Sequence, residues 1–222
     1  MYLLRIALPD RPGVLGAVAS SLGRAGVDIA TVAVVERRDG VAIDDFIVEL
    51  PAGHSADQLV SASQAVDGVE VEWVSRYAAG GDLIRDLEAV EAMTTDPPMA
   101  AHLLTELAPG VFMAQWAMLA TAPRVPEETP TVITATKTAP DLPEPAVDCP
   151  WDGLDRAARV TVSHAWQEAG WTDVVAGAPI GGGTRVLLVG RSGGPAVLDS
   201  ELARLGHLAA LADTIAGRDS DI

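Results

Sequence analysis

The sequence predicts an α+β protein in which antiparallel strands and amphipathic helices alternate in two regions of the chain. Short runs of alternating apolar residues, as at 2–8, are typical of strands, and apolar residues at every third or fourth position, as at 14–25, are typical of helices. Turn sequences separate pairs of apolar runs at 39–40 and 181–183. With 222 residues, 49% of them hydrophobic, the chain can form one large domain or two small ones.

The charge and cysteine content exclude several classes of protein. The chain has 31 Asp and Glu residues, 15 Lys and Arg residues and a formal net charge of -16. Such a surface repels phosphate backbones and anionic headgroups, so we predict neither a nucleic-acid partner nor a membrane partner. The single cysteine, Cys149, excludes an intramolecular disulfide, and the four histidines lack zinc-site spacing, so no metal and no cofactor is predicted. The first apolar run contains Arg5 and lacks signal-peptide features, which predicts a cytoplasmic location.

The first third of the chain contains six predicted elements. They are a strand at 2–8, a loop and helix at 10–25, strands at 30–36 and 41–50, a helix at 55–68 and a strand at 69–73. Ser55 and Gln58 have the spacing of a capping box at the start of the second helix. The order strand, helix, strand, strand, helix, strand is that of the split βαβ, or ferredoxin-like, arrangement.

The loop between the first strand and the first helix has the composition of an anion-binding turn. Pro12 fixes φ near the helical value and suits the first turn of a helix, while Gly13 lets another molecule approach the backbone closely. The first N–H groups of a helix lack internal partners, and the helix macrodipole adds a partial positive charge. A carboxylate or phosphate docked at this turn is therefore favoured.

Two segments of the chain resemble the first third of an ACT domain, the amino-acid-sensing module of many biosynthetic enzymes. They are residues 10–15, Asp-Arg-Pro-Gly-Val-Leu, and residues 26–29, Gly-Val-Asp-Ile. Ligand-binding members of that family hold a free amino acid between two copies of the module. The resemblance implies a homodimer with an amino acid, or a similar small zwitterion, at its interface. The ligand-binding residues that it implies are Asp10, Arg11, Pro12, Gly13, Val14, Leu15, Asp28 and Ile29. One subgroup of the family has a histidine where this chain has Leu8.

The two aspartates of this set also have structural interpretations. Asp10 could cap the first helix, and Asp28 could simply tolerate a tight conformation after Gly26. As ligand groups, either carboxylate would receive an α-ammonium group while the amides near Gly13 receive the α-carboxylate. Both interpretations stay open from the sequence alone.

The sequence predicts four segments along the chain. They are an ACT-like domain at 1–77, a helical connector at 78–108, a mixed α+β domain at 109–217 and a tail at 218–222. The connector is interpreted as a helical hairpin packed on one domain, or as a signalling linker or dimer stalk. In the smaller α+β domain, strands are predicted at 111–120, 131–137, 173–180 and 184–190, and helices at 152–169 and from Asp199 onward. Residues 185–191 and 198–205 resemble the last hairpin and terminal helix of a GAF domain.

Three further groups have both a chemical and a structural interpretation. Ser192 lies in a Gly-x-Ser-x-Gly sequence that could form a hydrolase nucleophile with Asp199 and His207, or a plain hairpin-to-helix loop. Asp44 and Asp45 are predicted as a solvated strand end rather than as an acid-base pair. The tryptophans of the second domain are predicted as core residues or as the lining of an apolar cavity; they are Trp116, Trp151, Trp166 and Trp171.

The sequence therefore predicts a non-catalytic regulatory protein. A free amino acid bound between two copies of the N-terminal domain would stabilise one arrangement, and an unidentified protein partner would receive the signal. The alternatives are a small serine hydrolase that uses Ser192 and a ligand-free dimerisation scaffold.

Overall fold

The computed structural model describes residues 1–76, 81–123, 129–143, 148–171 and 174–218. The chain divides into two compact units, Met1–Ala79 and Gly80–Ile222. The predicted boundary near Ala78 and the tail beyond residue 218 lie outside the described residues. Within the described ranges, no helix has both the length and the apolar composition that crossing a membrane requires.

The first unit is a four-stranded antiparallel sheet with two helices. Its elements are β1 (Tyr2–Pro9), α1 (Val14–Arg24), β2 (Asp28–Arg38), β3 (Val41–Glu49), α2 (Asp57–Gln64) and β4 (Glu70–Arg76). The strands lie in the order β2-β3-β1-β4, and every neighbouring pair is antiparallel. This order confirms the predicted ferredoxin-like fold.

Alternation along β1 builds the core of the first unit. Leu4, Ile6 and Leu8 point to the same face of the sheet and pack with the α1 residues Val18 and Leu22. All five are at most 4% exposed. Residues spaced by two on the strand and by four on the helix therefore meet in one apolar layer.

The hairpin between β2 and β3 has the predicted two-residue turn. Asp39 and Gly40 both have positive φ, 53° and 79°, and the flanking residues Arg38 and Val41 are paired. These angles are the ones that a tight hairpin turn with the right-handed twist of the strands requires. The turn is confirmed.

The predicted capping box of α2 is wrong. The helix begins at Asp57, and its N-cap residue, Ala56, is helical with no capping side chain. The backbone N–H of Gln58 instead donates to the Ser55 carbonyl at 3.1 Å. A backbone turn supplies the partner for this N–H, so the Ser55 hydroxyl is not needed for the purpose.

The second unit is a five-stranded antiparallel sheet with its principal helices on one face. Its elements are α3 (Gly81–Thr95), a 3-10 turn (Pro97–Met99), α4 (Ala100–Val111), β5 (Trp116–Thr121), β6 (Val132–Ala135), β7 (Ala158–Val160), α5 (His164–Glu168), β8 (Val174–Ile180), β9 (Arg185–Arg191) and α6 (Asp199–Arg218). The strand order is β6-β5-β9-β8-β7.

The two helices of the predicted connector belong to the core of this unit. Met93 of α3 and Leu104 of α4 are fully buried, in one apolar cluster with Leu205 of α6 and Leu187 of β9. Asp96 precedes the 3-10 turn that separates the helices, where the two prolines interrupt regular hydrogen bonding. This packing corresponds to a helical hairpin rather than to a free stalk.

The last hairpin and the terminal helix form where the sequence predicts them. Strands β8 and β9 flank Gly181, Gly182 and Gly183, all three with positive φ. The backbone N–H of Gly181 donates to both carboxylate oxygens of Asp213, each at 2.7 Å. The carboxylate thus connects the turn of the hairpin to α6.

The opposite face of the sheet carries four mutually packed tryptophans, which we call the tryptophan cluster: Trp116, Trp151, Trp166 and Trp171. All four are at most 1% exposed, and ring centroids lie 4.8–5.7 Å apart in edge-to-face and stacked pairs. The side chains fill the space between them, so the structure follows the core interpretation. Cys149 packs against this cluster, and burial raises the pKa of its thiol to about 11, which keeps the thiol protonated at neutral pH.

Two local predictions for the second unit are wrong. The helix predicted at 152–169 is replaced by β7 and the five-residue α5, because Ala158–Val160 pair with β8 and the β-branched Val160 favours extended backbone. The strand predicted from residue 111 begins only at Trp116, because α4 continues through Pro109 to Val111.

Candidate functional site

The loop between β1 and α1 is held by backbone hydrogen bonds and ends in a left-handed residue. The N–H of Asp10 donates to the Gly40 carbonyl, and the N–H of Arg11 donates to the Pro9 carbonyl, both at 2.8 Å. Gly13 precedes α1 with φ of 95°, a conformation that L side chains rarely adopt. An added Cβ at Gly13 would meet no atom within 4 Å, so the backbone angle, and not space inside this chain, requires the glycine.

The start of α1 presents unpaired amides. Within the described part of the chain, the N–H groups of Gly13, Leu15 and Gly16 donate to no acceptor, and the first regular bond runs from Ala17 to the Gly13 carbonyl at 2.9 Å. The first turn contains no acidic residue. Three free donors and the positive end of the helix dipole make this turn, which we call the α1 mouth, receptive to an anion.

The predicted loop residues lie together at the α1 mouth. Arg11, Pro12 and Gly13 are exposed, Leu15 is 37% exposed, and Val14 is buried in the core. The Asp10 carboxylate lies 3.7 Å from the Arg37 guanidinium. Both side chains are well exposed, so this surface pair contributes little stability and leaves the carboxylate accessible to an ammonium group.

Asp28 and Ile29 lie away from the α1 mouth within one copy of the chain. They begin β2, where Asp28 pairs with Glu49, whereas the opposite end of β2 approaches the loop. From Asp28 to Arg38 the strand rises about 33 Å at 3.3 Å per residue. One copy therefore holds the two parts of the predicted ligand-binding set at opposite ends of its sheet.

The prediction that Asp44 and Asp45 form a solvated strand end is wrong. Asp44 is 1% exposed and Asp45 is 9% exposed, because β3 is an inner strand between β1 and β2. Arg5, directly opposite on β1, donates from Nε and Nη2 to the two oxygens of Asp45 at 2.7 and 2.8 Å. This bidentate ion pair between neighbouring strands compensates the buried charge of Asp45 but not that of Asp44.

Asp44 is a buried carboxyl, which the sequence pattern did not predict. Its Oδ1 is buried and, among the described residues, has no hydrogen-bond partner. Desolvation raises the pKa of Asp44, with further increases from the nearby Asp10 and Asp45 carboxylates, while Arg37 lowers it. The alternation of residues along β3 is the sequence signal that could have predicted this burial, since Asp44 shares a strand face with the core residues Ala42 and Phe46.

We expect the Asp44→Asn variant to be more stable than the parent at neutral pH. The folded chain binds a proton at Asp44 more tightly than the unfolded chain does, so the free energy of unfolding falls as pH rises through and above the ordinary aspartate pKa. Asparagine carries no such penalty. The gain should therefore vanish below about pH 3.9. Urea unfolding at several pH values, followed through NMR signals of β1 and β3, measures it.

The adjacent variant Asp45→Asn is the matched control. It removes one carboxylate from the same strand but breaks the bidentate pair with Arg5, so it should lower stability at neutral pH. Equal effects of the two substitutions, or a gain for Asp44→Asn that does not change with pH, would contradict the assignment of an uncompensated charge to Asp44.

The structure does not form a nucleophile elbow at Ser192. Residues 192–198 separate β9 from α6, and the Ser192 N–H donates to the Gln115 side-chain oxygen at 2.7 Å. Asp199 and His207 lie eight positions apart on α6, about 12 Å along its axis. The Asp199 carboxylate is also 2.8 Å from the Arg159 guanidinium. The three residues are therefore not arranged as a catalytic triad.

The first unit combines a ferredoxin-like sheet with a helix start whose free amides can receive an anion. Residues 2–68 match the family model described as "ACT domain". The match lies within the first unit and includes no residue of the second.

Two solved structures show only distant likeness. A formyltetrahydrofolate deformylase from Pseudomonas putida KT2440 has 13% identity and a TM-score of 0.28, over 43% of this chain and 38% of that chain. The chain thus spans well under half of the deformylase. An unknown protein from Galdieria sulphuraria has 16% identity and a TM-score of 0.29, over 58% of this chain and 75% of that chain. The comparison with curated proteins gives no match.

Proposed function

We propose that the chain is a non-catalytic regulatory protein whose ACT domain binds a free amino acid where two copies of the chain meet. The family supports a regulatory ligand-binding role. The observation that carries the finer proposal is the set of three unpaired amides at Gly13, Leu15 and Gly16. A cytoplasmic location and an unidentified protein partner that receives the signal are parts of the same proposal.

The charges near the α1 mouth suit a zwitterion. The free amides of the mouth would receive the α-carboxylate, as helix starts commonly do for anions. The exposed carboxylates of Asp10 and Asp28 are suited to an α-ammonium group, since charge-assisted hydrogen bonds are stronger than neutral ones. A ligand with only an anionic group would satisfy the amides and be repelled by the carboxylates.

A second copy supplies the missing half of this site. Strand β2 is an edge strand of the sheet, and two of its apolar side chains, Val32 and Val34, are 39% and 45% exposed. Antiparallel pairing of two β2 edges would place the start of one strand beside the end of the other. Asp28 and Ile29 of a second copy would then approach the α1 mouth of the first.

We expect at least one of the twenty amino acids to raise the melting temperature of the chain at millimolar concentration. A ligand at ten times its Kd adds about 1.4 kcal/mol of stability by mass action. In the Asp28→Ala variant the shift should disappear, because the ammonium contact is lost. Differential scanning fluorimetry against all twenty amino acids measures both effects.

The matched control is Asp152→Ala, which removes an exposed aspartate from the second unit, outside the proposed site. This variant should keep the full shift in melting temperature. Sedimentation velocity of the parent chain should show a dimer whose dissociation constant falls when the ligand is added. If none of the twenty amino acids changes the melting temperature at millimolar concentration, amino-acid sensing is refuted. A dimer without any response would favour the ligand-free scaffold.

A further inference from the structure

The second unit contains an open groove of about 600 Å³ that takes no part in the proposed amino-acid site. It runs between the segment that leads into β7 and the N-terminal half of α6. Pockets that bind small molecules commonly have volumes of about 300 to 1,000 Å³. All of its lining residues lie in the described ranges of the second unit.

Basic side chains are concentrated along this groove in a chain of strongly acidic composition. Arg156, Arg159 and His207 line it, with Asp199 as the one acidic lining residue. The chain as a whole has about twice as many acidic as basic residues, 31 against 15. Because the surrounding charge is negative, the two guanidinium groups of this groove mark a place where a small anion can approach favourably.

Two of these side chains have unused donors. Arg156 and His207 form no hydrogen bond and no ion pair with any described residue. Arg159 is held in place, since Nε donates to the Val197 carbonyl at 2.7 Å and Nη2 lies 2.8 Å from the Asp199 carboxylate. A guanidinium has five N–H donors in a planar fork that matches carboxylate and phosphate oxygens.

The floor of the groove is apolar and made of small residues. Ala157, Leu202 and Ala203 line it, together with Gly206. A Cβ added at Gly206 would lie 3.2 Å from the Ala157 Cβ, so the absence of a side chain lets α6 lie close to this segment. The groove thus combines an apolar base with two guanidinium groups and one imidazole along its length.

We infer that this groove binds a small molecule with an apolar body and a carboxylate or phosphate group. The anionic group is recognised by Arg156 and His207, with Arg159 fixed beside them by Val197 and Asp199. The apolar body lies on the alanine and leucine surface between α6 and the residues before β7. The site is separate from the α1 mouth and does not depend on the function proposed for it.

The test titrates the ¹⁵N-labelled full chain with three probes at constant ionic strength, with amide chemical shifts as the readout. Benzoate and benzamide have the same shape and differ in charge, while phenyl phosphate carries the other anionic group. We expect saturable shifts at residues 157–159 and 202–207 with benzoate or phenyl phosphate, and none with benzamide. The comparison of the two anions identifies which oxyanion the groove prefers.

Variants connect the binding to the two residues with unused donors, Arg156 and His207. Arg156→Gln should weaken binding of the preferred anion about tenfold, because a charge-assisted hydrogen bond is lost. His207→Asn should weaken it as well, which gives an independent variant on the other side of the groove. Lys137→Gln removes an exposed charge of the same unit outside the groove and should leave the affinity unchanged. Absence of saturable shifts, equal shifts with benzamide, or unchanged affinity in both groove variants would overturn the inference.

Discussion

The Gly190→Ala variant is expected to lose about 3 kcal/mol of the free energy of unfolding of the second unit. Gly190 of β9 is paired directly with Trp116 of β5, and the indole ring lies over the glycine. An added Cβ would be 1.9 Å from the Trp116 Cε2 and 2.2 Å from its Cζ2. Trp116 is 1% exposed and packs edge to face on Trp171 at 5.3 Å, so the ring has no free space to move into.

Chemical denaturation followed by near-UV circular dichroism of the tryptophan cluster measures this loss. Gly110→Ala is the matched control in the same unit: it lies in α4, and an added Cβ there would meet no atom within 4 Å. Alanine is the better helix former, so this variant should be neutral or slightly stabilising. A Gly190→Ala variant with an unchanged spectrum and an unchanged midpoint would contradict the close packing of the Trp116 ring on Gly190.

The Glu201→Ala variant is expected to lose about 3–5 kcal/mol, because it leaves a buried guanidinium without its carboxylate. Arg191 and Glu201 side chains are 4% and 5% exposed, and Arg191 Nη2 lies 2.9 Å from Glu201 Oε1. Glu201 Oε2 also accepts the N–H of Leu198 at 2.8 Å, just before α6 begins. The substitution therefore removes an ion pair and an N-terminal contact of the helix together.

Thermal and urea unfolding of the full chain measure the effect of this substitution. Glu106→Ala is the control, since it removes an exposed glutamate from α4 in the same unit. Its stability should stay within about 0.5 kcal/mol of the parent. A loss below about 1 kcal/mol for Glu201→Ala would show that the contacts from Arg191 to the Phe112 and Pro195 carbonyls stabilise the buried charge sufficiently without Glu201.

The first unit could be predicted from the sequence because its signals are local. The turn at Asp39 and Gly40 needs positive φ at two successive residues, and few sequences other than Asp-Gly or Asn-Gly supply it. The apolar alternation of β1 and the fourfold spacing of α1 then place one face of each element in the core. Local chemistry and periodicity were sufficient to give six elements in the right order.

The second unit was harder to predict because long-range pairing determines several of its elements. Residues 152–169 have helical spacing, yet Ala158 to Val160 pair with β8 and only five residues form α5. The sheet neighbour of β7 lies some fifteen or more residues further along the chain, which no local window includes. The tertiary pairing of β7 with β8 therefore outweighs the helical spacing of the apolar residues in this segment.

The candidate sites also differ in how far local sequence signals could predict them. The α1 mouth consists of consecutive residues, so the sequence could identify Asp10 to Leu15 as one group. The environment of Asp44 and Asp45 depends on the register between β1 and β3, which places Arg5 opposite Asp45 and no cation opposite Asp44. The groove of the second unit brings Arg156 and His207 together from about fifty positions apart, and the sequence carries no signal for that meeting.

The carboxylate of Asp213 fixes one end of α6 to the last hairpin of the second unit. Near its C-terminal end α6 is fastened to the turn between β8 and β9, and near its start Glu201 binds Arg191 at the far end of β9. The helix is thus attached to the same hairpin at both of that hairpin's ends. We therefore expect the backbone amides of β8, β9 and α6 to exchange with solvent through a shared opening, as one foldon.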